Sequence, residues 1–265
     1  MLSIKRLFLV VFAWFAAATM STVAFAETTM ERIVKSGEMR IAVQTQGPPV
    51  SFINKNGERT GLALDMAQKF ADDMGVELIV QDYDWKGLIP ALSSGKVDFI
   101  AADMTPTAKR HMQVLFTDPA FYSENVAYAL KEKGITDWKT LNSGDYTLGV
   151  TQASSYSTLA KELLPDAKLK EYAGGNPQAI QAVLNGRVDA GISDRANLAT
   201  SLKQFPELGI IGFIRKEPLG FAVRPDSMHL LLALNNFLNL MEHDGSKEKM
   251  LDYWWNSTDW EADHK

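Results

Sequence analysis

The sequence predicts an α/β protein of two lobes, each a mostly parallel sheet flanked by helices. Three observations carry that expectation. Strand-like and helix-like segments alternate from Met39 to Ala101, and a β-α-β-α-β order implies parallel strands with helices on their faces. A second alternation of the same kind runs from Tyr146 to Phe205. The two series also share a phrase. Leu92-Ser93-Ser94-Gly95-Lys96-Val97-Asp98 in the first matches Val183-Leu184-Asn185-Gly186-Arg187-Val188-Asp189 in the second. Each reads as a helix end, a glycine, a basic residue and a Val-Asp that opens a strand. Carried forward in register, the first phrase reaches Asp103 and the second reaches Asp194. Both aspartates are therefore expected just past the end of a central strand, and two facing lobes would aim both carboxylates into one cleft.

Taken in order, Glu31 to Lys35 reads as a short helix and Met39 to Val43 as a strand. Pro48 and Pro49 fix the path of the following loop, and Asn54-Lys55-Asn56-Gly57 is a turn signal. Leu62, Met66, Phe70 and Met74 recur every four residues ahead of Gly75, which predicts an amphipathic helix ending at that glycine. Val76 to Val80 is the next strand. Asp84 can cap a helix with Leu88, Ile89 and Leu92 on its apolar side, and Gly95 can end it in the left-handed conformation. Val97 to Ala101 is a short apolar run that suits a strand buried on both faces. A further helix begins near Thr107, with Arg110 in or near its first turn. Val126 to Leu130 alternates as a strand leading to the second series. That series has strands at 146–150, 169–172 and 188–192, and helices at 155–164, 177–184 and 195–205. Pro177 is expected at a first helical position. The C-terminal part lacks the βαβ rhythm: a strand at Gly220 to Val223, then helices at 228–243 and 246–255.

Composition bounds the class without naming it. The chain has 265 residues, 46% hydrophobic and 22% charged, as an ordinary globular protein has. Its net charge of −5 argues against a nucleic-acid partner, which needs a basic footprint. Residues 1–26 read as a secretory signal peptide: Lys5 and Arg6, an apolar run from Leu7 to Ala18, and Ala24-Phe25-Ala26 as a cleavage site. An uncleaved anchor helix is the alternative. Cysteine is absent, so no disulfide or thiol-bound metal enters the fold.

The stretch Trp85 to Pro119 concentrates the chemistry. Asp103, Met104 and Thr105 leave a strand and a helix N-terminus follows, so a carboxylate, hydroxyls, free N–H groups and the Arg110 guanidinium converge at a strand's C-terminal end. Small ligands bind at such places in open α/β sheets, and helix N-termini there favour anions. LIPALSSGKVDFIAADMTPTAKR followed by FTDP resembles the signature region of the periplasmic polar-amino-acid-binding proteins, the solute receptors of ABC importers (bacterial solute-binding protein family 3). The resemblance runs from about Glu27 to Trp255.

That resemblance implies a periplasmic-binding-protein fold with a two-crossing hinge, near Phe121 to Val126 and Ile214 to Gly220. Residues 27–122 with 219–265 would form lobe 1 and residues 123–218 lobe 2. Closure about such a hinge would trap an amino acid for a membrane permease, the protein acting as a monomer without cofactor or metal. Thr105 and Arg110 correspond to the groups that clamp the ligand α-carboxylate, and Asp194 to the carboxylate that receives the α-ammonium. An arginine there also serves as a solvated helix charge, and Thr105 and Asp194 as helix caps. Ser154 and Ser155 in GVTQASSY resemble the loop by which the second lobe touches the carboxylate, although Ala153 replaces a usual glycine. Trp85 matches a position that packs on the ligand, with core packing as the alternative. Where relatives carry an aromatic and a Phe, this chain has Gly47 and Val50, and Phe52 is the candidate for the missing wall. Met104 belongs to the same loop as Thr105.

Asp103 stands where Gly or Ser is common. If Arg110 answers the ligand carboxylate and Asp194 the ammonium, Asp103 is left over, and a buried unpaired carboxylate favours a ligand with a second cation. Pairing of Asp103 with Arg110 or Lys109 would favour a neutral polar ligand instead. The four histidines show no metal spacing, and no G-x-S-x-G, P-loop or dinucleotide fingerprint is present. A non-enzymatic receptor is therefore expected. The alternatives are a periplasmic dehydratase of the cyclohexadienyl type, using Asp103 and Asp194 as an acid–base pair, and a ligand sensor without transport.

Overall fold

The computed structural model describes residues 27–264, so the expected signal peptide lies outside the described residues. The chain opens with α1 (Thr29–Ser36), whose Thr28 and Glu31 form a reciprocal capping box. Then come β1 (Glu38–Gln44), the short antiparallel pair β2 (Phe52–Ile53) and β3 (Arg59–Thr60), α2 (Leu62–Met74) and β4 (Glu77–Tyr83). A 3₁₀ turn at Trp85–Gly87 leads into α3 (Leu88–Ser93), β5 (Phe99–Met104), α4 (Ala108–His111), β6 (Leu115–Phe116) and β7 (Phe121–Leu130). The second series is β8 (Thr147–Thr151), α5 (Ser155–Leu163), β9 (Lys168–Tyr172), α6 (Gly175–Leu184), β10 (Ala190–Asp194) and α7 (Arg195–Gln204). The long strand β11 (Leu208–Val223) follows, then α8 (Met228–Asp244), α9 (Ser246–Trp254) and α10 (Trp260–His264).

The sheet order is β4-β1-β5-β11-β7-β10-β8-β9, with β6 also on β11. Each half repeats one plan. Three parallel strands (β4-β1-β5 and β9-β8-β10) carry an antiparallel strand at the inner edge, β11 or β7. Those two edge strands pair with each other from Leu208↔Leu130 to Leu219↔Phe121. Both chain crossings therefore run through one antiparallel ribbon.

Apolar clusters cover both faces of each half, as parallel strands require. In the first, Met66, Phe70, Phe99, Phe237 and Trp254 lie on one side and Leu88, Leu92, Ile100 and Phe116 on the other. In the second, Leu148, Val150, Leu159 and Ile192 oppose Tyr128, Ile180, Val183 and Leu198. The shared Val-Asp phrase has a structural role in both. Asp98 accepts the backbone N–H of Arg40 at 2.7 Å and Asp189 that of Thr147 at 2.9 Å, each at or near the start of its half's first strand. Gly95 and Gly186 are both left-handed (φ 72° and 63°), turning the preceding helix into that Asp.

Several element expectations need correction. The strand expected at Gly220–Val223 is the last quarter of a 16-residue strand. Asp103 lies inside β5 rather than past it, and Asp194 is the last residue of β10. Helix α6 starts at Gly175, so Pro177 is its third residue. Asp84 makes no side-chain cap.

Candidate functional site

The C-terminal ends of β5, β8 and β10 meet across a cleft between the two halves. The space there, about 280 Å³ with part of it open to solvent, is lined by Gln44, Trp85 and Asp103 from one side and Thr151, Ser154, Ser155, Tyr156 and Asn176 from the other. Hydrogen bonds cross it. Thr105 Oγ1 lies 3.2 Å from Ser155 Oγ, Trp85 Nε1 donates to Ala153 O at 3.3 Å, and Arg110 Nη2 donates to the same carbonyl at 3.2 Å.

Arg110 is buried, and Thr107 caps the short helix that carries it by accepting the Arg110 N–H. Its Nη1 donates to Thr105 O at 2.8 Å, and the guanidinium stands 5.5 Å over the Trp85 ring. Thus the cation on Trp85 is the protein's own arginine. Burial lowers the Arg110 pKa to about 10, with the nearby Glu217 and Asp103 charges opposing the change. Two of its five N–H donors are spent on carbonyls, both in loops that the cleft brings together.

The two aspartates converge as their register implies. Asn197 Nδ2 lies 3.1 Å from Asp103 Oδ2 and 3.4 Å from Asp194 Oδ2, so one amide bridges carboxylates from opposite halves. Their remaining partners differ. Asp194 Oδ1 accepts from Ser123 Oγ and, at 2.8 Å, from Asn125 Nδ2, and the Tyr156 phenol also bonds this carboxylate. Asp103 Oδ1 is buried with no partner. Burial raises the pKa of both; for Asp194 the Asp103 charge adds to it and the value reaches about 7. Burial likewise raises the Tyr156 phenol well above its ordinary value, which keeps it a hydrogen-bond donor.

The hinge ribbon supports both loops from a single rung. Glu217 of β11 and Ser123 of β7 are directly opposed, so their side chains share a face. Ser123 reaches Asp194 in one half. Glu217, 4% exposed, lies 3.1 Å from Thr105 Oγ1 in the other half and is ion-paired with Arg215. A threonine hydroxyl has one proton, so Thr105 donates to the Glu217 carboxylate and accepts from Ser155.

Of the residues singled out from sequence, Trp85, Asp103, Ser154 and Ser155 line the cavity, while Arg110, Thr105 and Asp194 bond to its walls. Ser154 also caps α5, accepting Ser157 N at 3.2 Å. Two expectations fail. Phe52 does not face the cleft: it is 4% exposed in the core, its ring centroid 5.1 Å from that of Trp260 and 6.1 Å from that of Trp254. In the two-residue strand β2, Phe52 points inward and Ile53 outward. The Met104 side chain packs with Leu88, Val114, Phe116 and Ala222, because successive strand residues face opposite sides and Asp103 takes the cleft. Sequence reasoning missed Gln44, Thr151, Tyr156, Asn176, Asn197, Ser123, Asn125 and Glu217. Only Glu217 carries a charge that could have drawn notice. Among the described residues no group of His, Cys, Asp or Glu could hold a metal ion.

Residues 39–257 match the family model of the bacterial extracellular solute-binding proteins, family 3. The chain belongs to this family. Over 246 residues it is 29% identical to the ABC transporter arginine-binding protein 1 of Escherichia coli (strain K12), covering 90% of this chain and 96% of that one. Among solved structures, the ancestral amino acid-binding protein AncCDT-1, a precursor of cyclohexadienyl dehydratase, superposes with a TM-score of 0.81 at 33% identity, covering 86% of this chain and all of that one. An ancestral arginine-binding protein bound to arginine gives a TM-score of 0.77 at 32% identity, over 83% and 98% of the two chains. The two-lobe α/β fold expected from the repeated phrase is the fold of this family, and the β7–β11 ribbon is its double crossing.

Proposed function

We propose that this family-3 solute-binding protein captures an amino acid, cationic in preference to acidic, by closing its lobes, and delivers it to an ABC importer. The observation that carries the reading is Asp103. Its Oδ1 is buried, unpartnered and part of a cleft walled otherwise by hydroxyls, amides and one indole. A carboxylate in that state calls for a cation, and no ion pair of Asp103 with Arg110 or Lys109 answers it among the described residues. The relatives named for arginine support the same class. On this reading the lobes are residues 27–122 with 219–265, and 123–218, since the boundaries fall inside the paired ribbon. The protein works in the periplasm as a monomer.

The reading includes no bond-breaking step. Asp194 is fixed in place by Ser123, Asn125, Tyr156 and Asn197, which suits orienting a carboxyl group toward a ligand ammonium. Ligand-stripped protein, unfolded and refolded, should be stabilised in a thermal-shift screen by a basic amino acid. At a hundred times the dissociation constant the gain is about 2.7 kcal/mol. Incubation with prephenate or arogenate should give no phenylpyruvate or phenylalanine above background. A rate abolished by Asp194→Asn would replace binding with dehydration as the function.

A further inference from the structure

A second cavity adjoins the cleft. It holds about 620 Å³ of space, part of it open to solvent, between the Gly47–Pro48 loop of one lobe and helices α6 and α7 of the other. Asn176 lines both cavities. Asn197, which bonds Asp103 on the cleft side, lines the second, and its own Oδ1 is buried without a partner. Gln44 lines the cleft beside Gly47, which lines the second space. Its carboxamide lies against Gly47 and Gly175, where an added Cβ would stand 2.7 Å and 2.9 Å from the Gln44 side chain. Two glycines on opposite lobes thus make room for one amide. The two spaces meet at Asn176, with the neutral carboxamides of Gln44 on the cleft side and Asn197 on the outer side. Asn176 holds its place only through neutral bonds, including Thr151 Oγ1 at 2.9 Å.

The lining of the outer chamber is neutral throughout. Ile180, Phe205 and the two prolines Pro48 and Pro177 give apolar surface, and Ser201 gives a hydroxyl, while that of Thr200 donates to the Glu261 carboxylate behind it. An anionic substituent would find no cation there. A larger side chain at Gly47 would both occupy the chamber mouth and displace Gln44.

We propose that this chamber is part of the binding site and takes a neutral, hydrogen-bonding substituent carried on the cationic group of the ligand, so that the ligand class is N-substituted basic amino acids as well as the free ones. The Asp103 carboxylate answers the charge, Asn197 Oδ1 accepts an N–H next to it, and the substituent passes into the chamber. The inference rests on the amino-acid-capture reading above.

Calorimetry with L-arginine and Nω-(3-hydroxypropyl)-L-arginine tests it. Wild-type protein should bind the two within about threefold of each other, whereas a closed cleft would reject the extra atoms by about tenfold or more. Ser201→Phe, and independently Gln181→Trp, should fill the chamber, keep arginine binding within about threefold and weaken the extended ligand by at least about tenfold. Arginine binding in each variant reports that it has folded. Tight arginine binding with loss of the extended ligand in wild type overturns the chamber alone, as does an equal effect of both variants on both ligands. Binding of neither ligand by wild type removes the chamber and the amino-acid reading together.

Discussion

The bridged carboxylates make closure dependent on pH. Asp103 and Asp194 belong to opposite lobes, so closing brings two acids onto one Asn197 amide in a buried site. With the lobes apart Asp194 is free of the Asp103 charge and of the burial that closure adds, while Ser123, Asn125 and Asn197 stay with it on its own lobe. With them together, burial and the Asp103 charge move the Asp194 pKa from 3.8 to about 7. The closed form therefore binds the proton more tightly than the open form between these values, and lowering the pH favours closing. The penalty on ligand-free closure is fully present above about pH 7 and absent below about pH 4. A tenfold gain in proton affinity corresponds to about 1.4 kcal/mol, so the penalty has an upper limit of about 4 kcal/mol. A ligand cation substitutes for the proton. The chain contains no cysteine, so Lys86→Cys with Lys161→Cys, both exposed and on different lobes, can carry a pair of spin labels. The inter-label distance distribution of ligand-free protein should be long at pH 8 and shorten by pH 5. Asp194→Asn should give the short distance at both. Distances independent of pH, or an Asp194→Asn protein as open as wild type at pH 8, would refute the argument.

Two substitutions test other parts of the site. Arg110→Lys should weaken amino-acid binding by about 1.5–3 kcal/mol with little change in the unfolding midpoint, since lysine lacks the planar fork; unchanged affinity by calorimetry would take Arg110 out of the site. Ala153, whose carbonyl receives both Trp85 and Arg110, is the one non-glycine with positive φ among the described residues, at 60°. Relieving a left-handed alanine is worth about 1–2 kcal/mol and the added freedom of an unfolded glycine takes back about 0.5–1. Ala153→Gly should thus stabilise by about 0.5–1 kcal/mol in urea denaturation, and a loss of stability would show that the loop is not strained.

Much of the architecture was legible because local pattern and tertiary structure agree. Helix α2 runs from Leu62 to Met74 as the four-residue apolar repeat and Gly75 require. The repeated Val-Asp phrase located both central strands and the meeting of Asp103 with Asp194. What escaped depends on partners distant in sequence. Strand β11 contains Arg215-Lys216-Glu217-Pro218, which reads as a loop; only pairing with β7 makes it extended, and the ribbon's partial exposure leaves no alternation to detect. Helix α10 is short and is held by Trp260 against Phe52 and Trp254, which also explains why Phe52 serves the core. The amides Gln44, Asn176 and Asn197 stand in or beside the cleft walls, yet neutral amides at a strand end or on a helix have no spacing that marks them. Glu217 and Ser123 act through a cross-strand register that sequence does not display.

The role of Asp103 in answering a ligand cation is decided by competition among amino acids. Arginine, ornithine, glutamine and glutamate should be competed for ligand-stripped wild-type protein and for Asp103→Ser. Arginine or ornithine should bind ahead of glutamine, with glutamate last, in the wild type, and the cationic preference should fall by about tenfold or more in Asp103→Ser. Glutamate binding first, or a ranking that the substitution leaves unchanged, would contradict it.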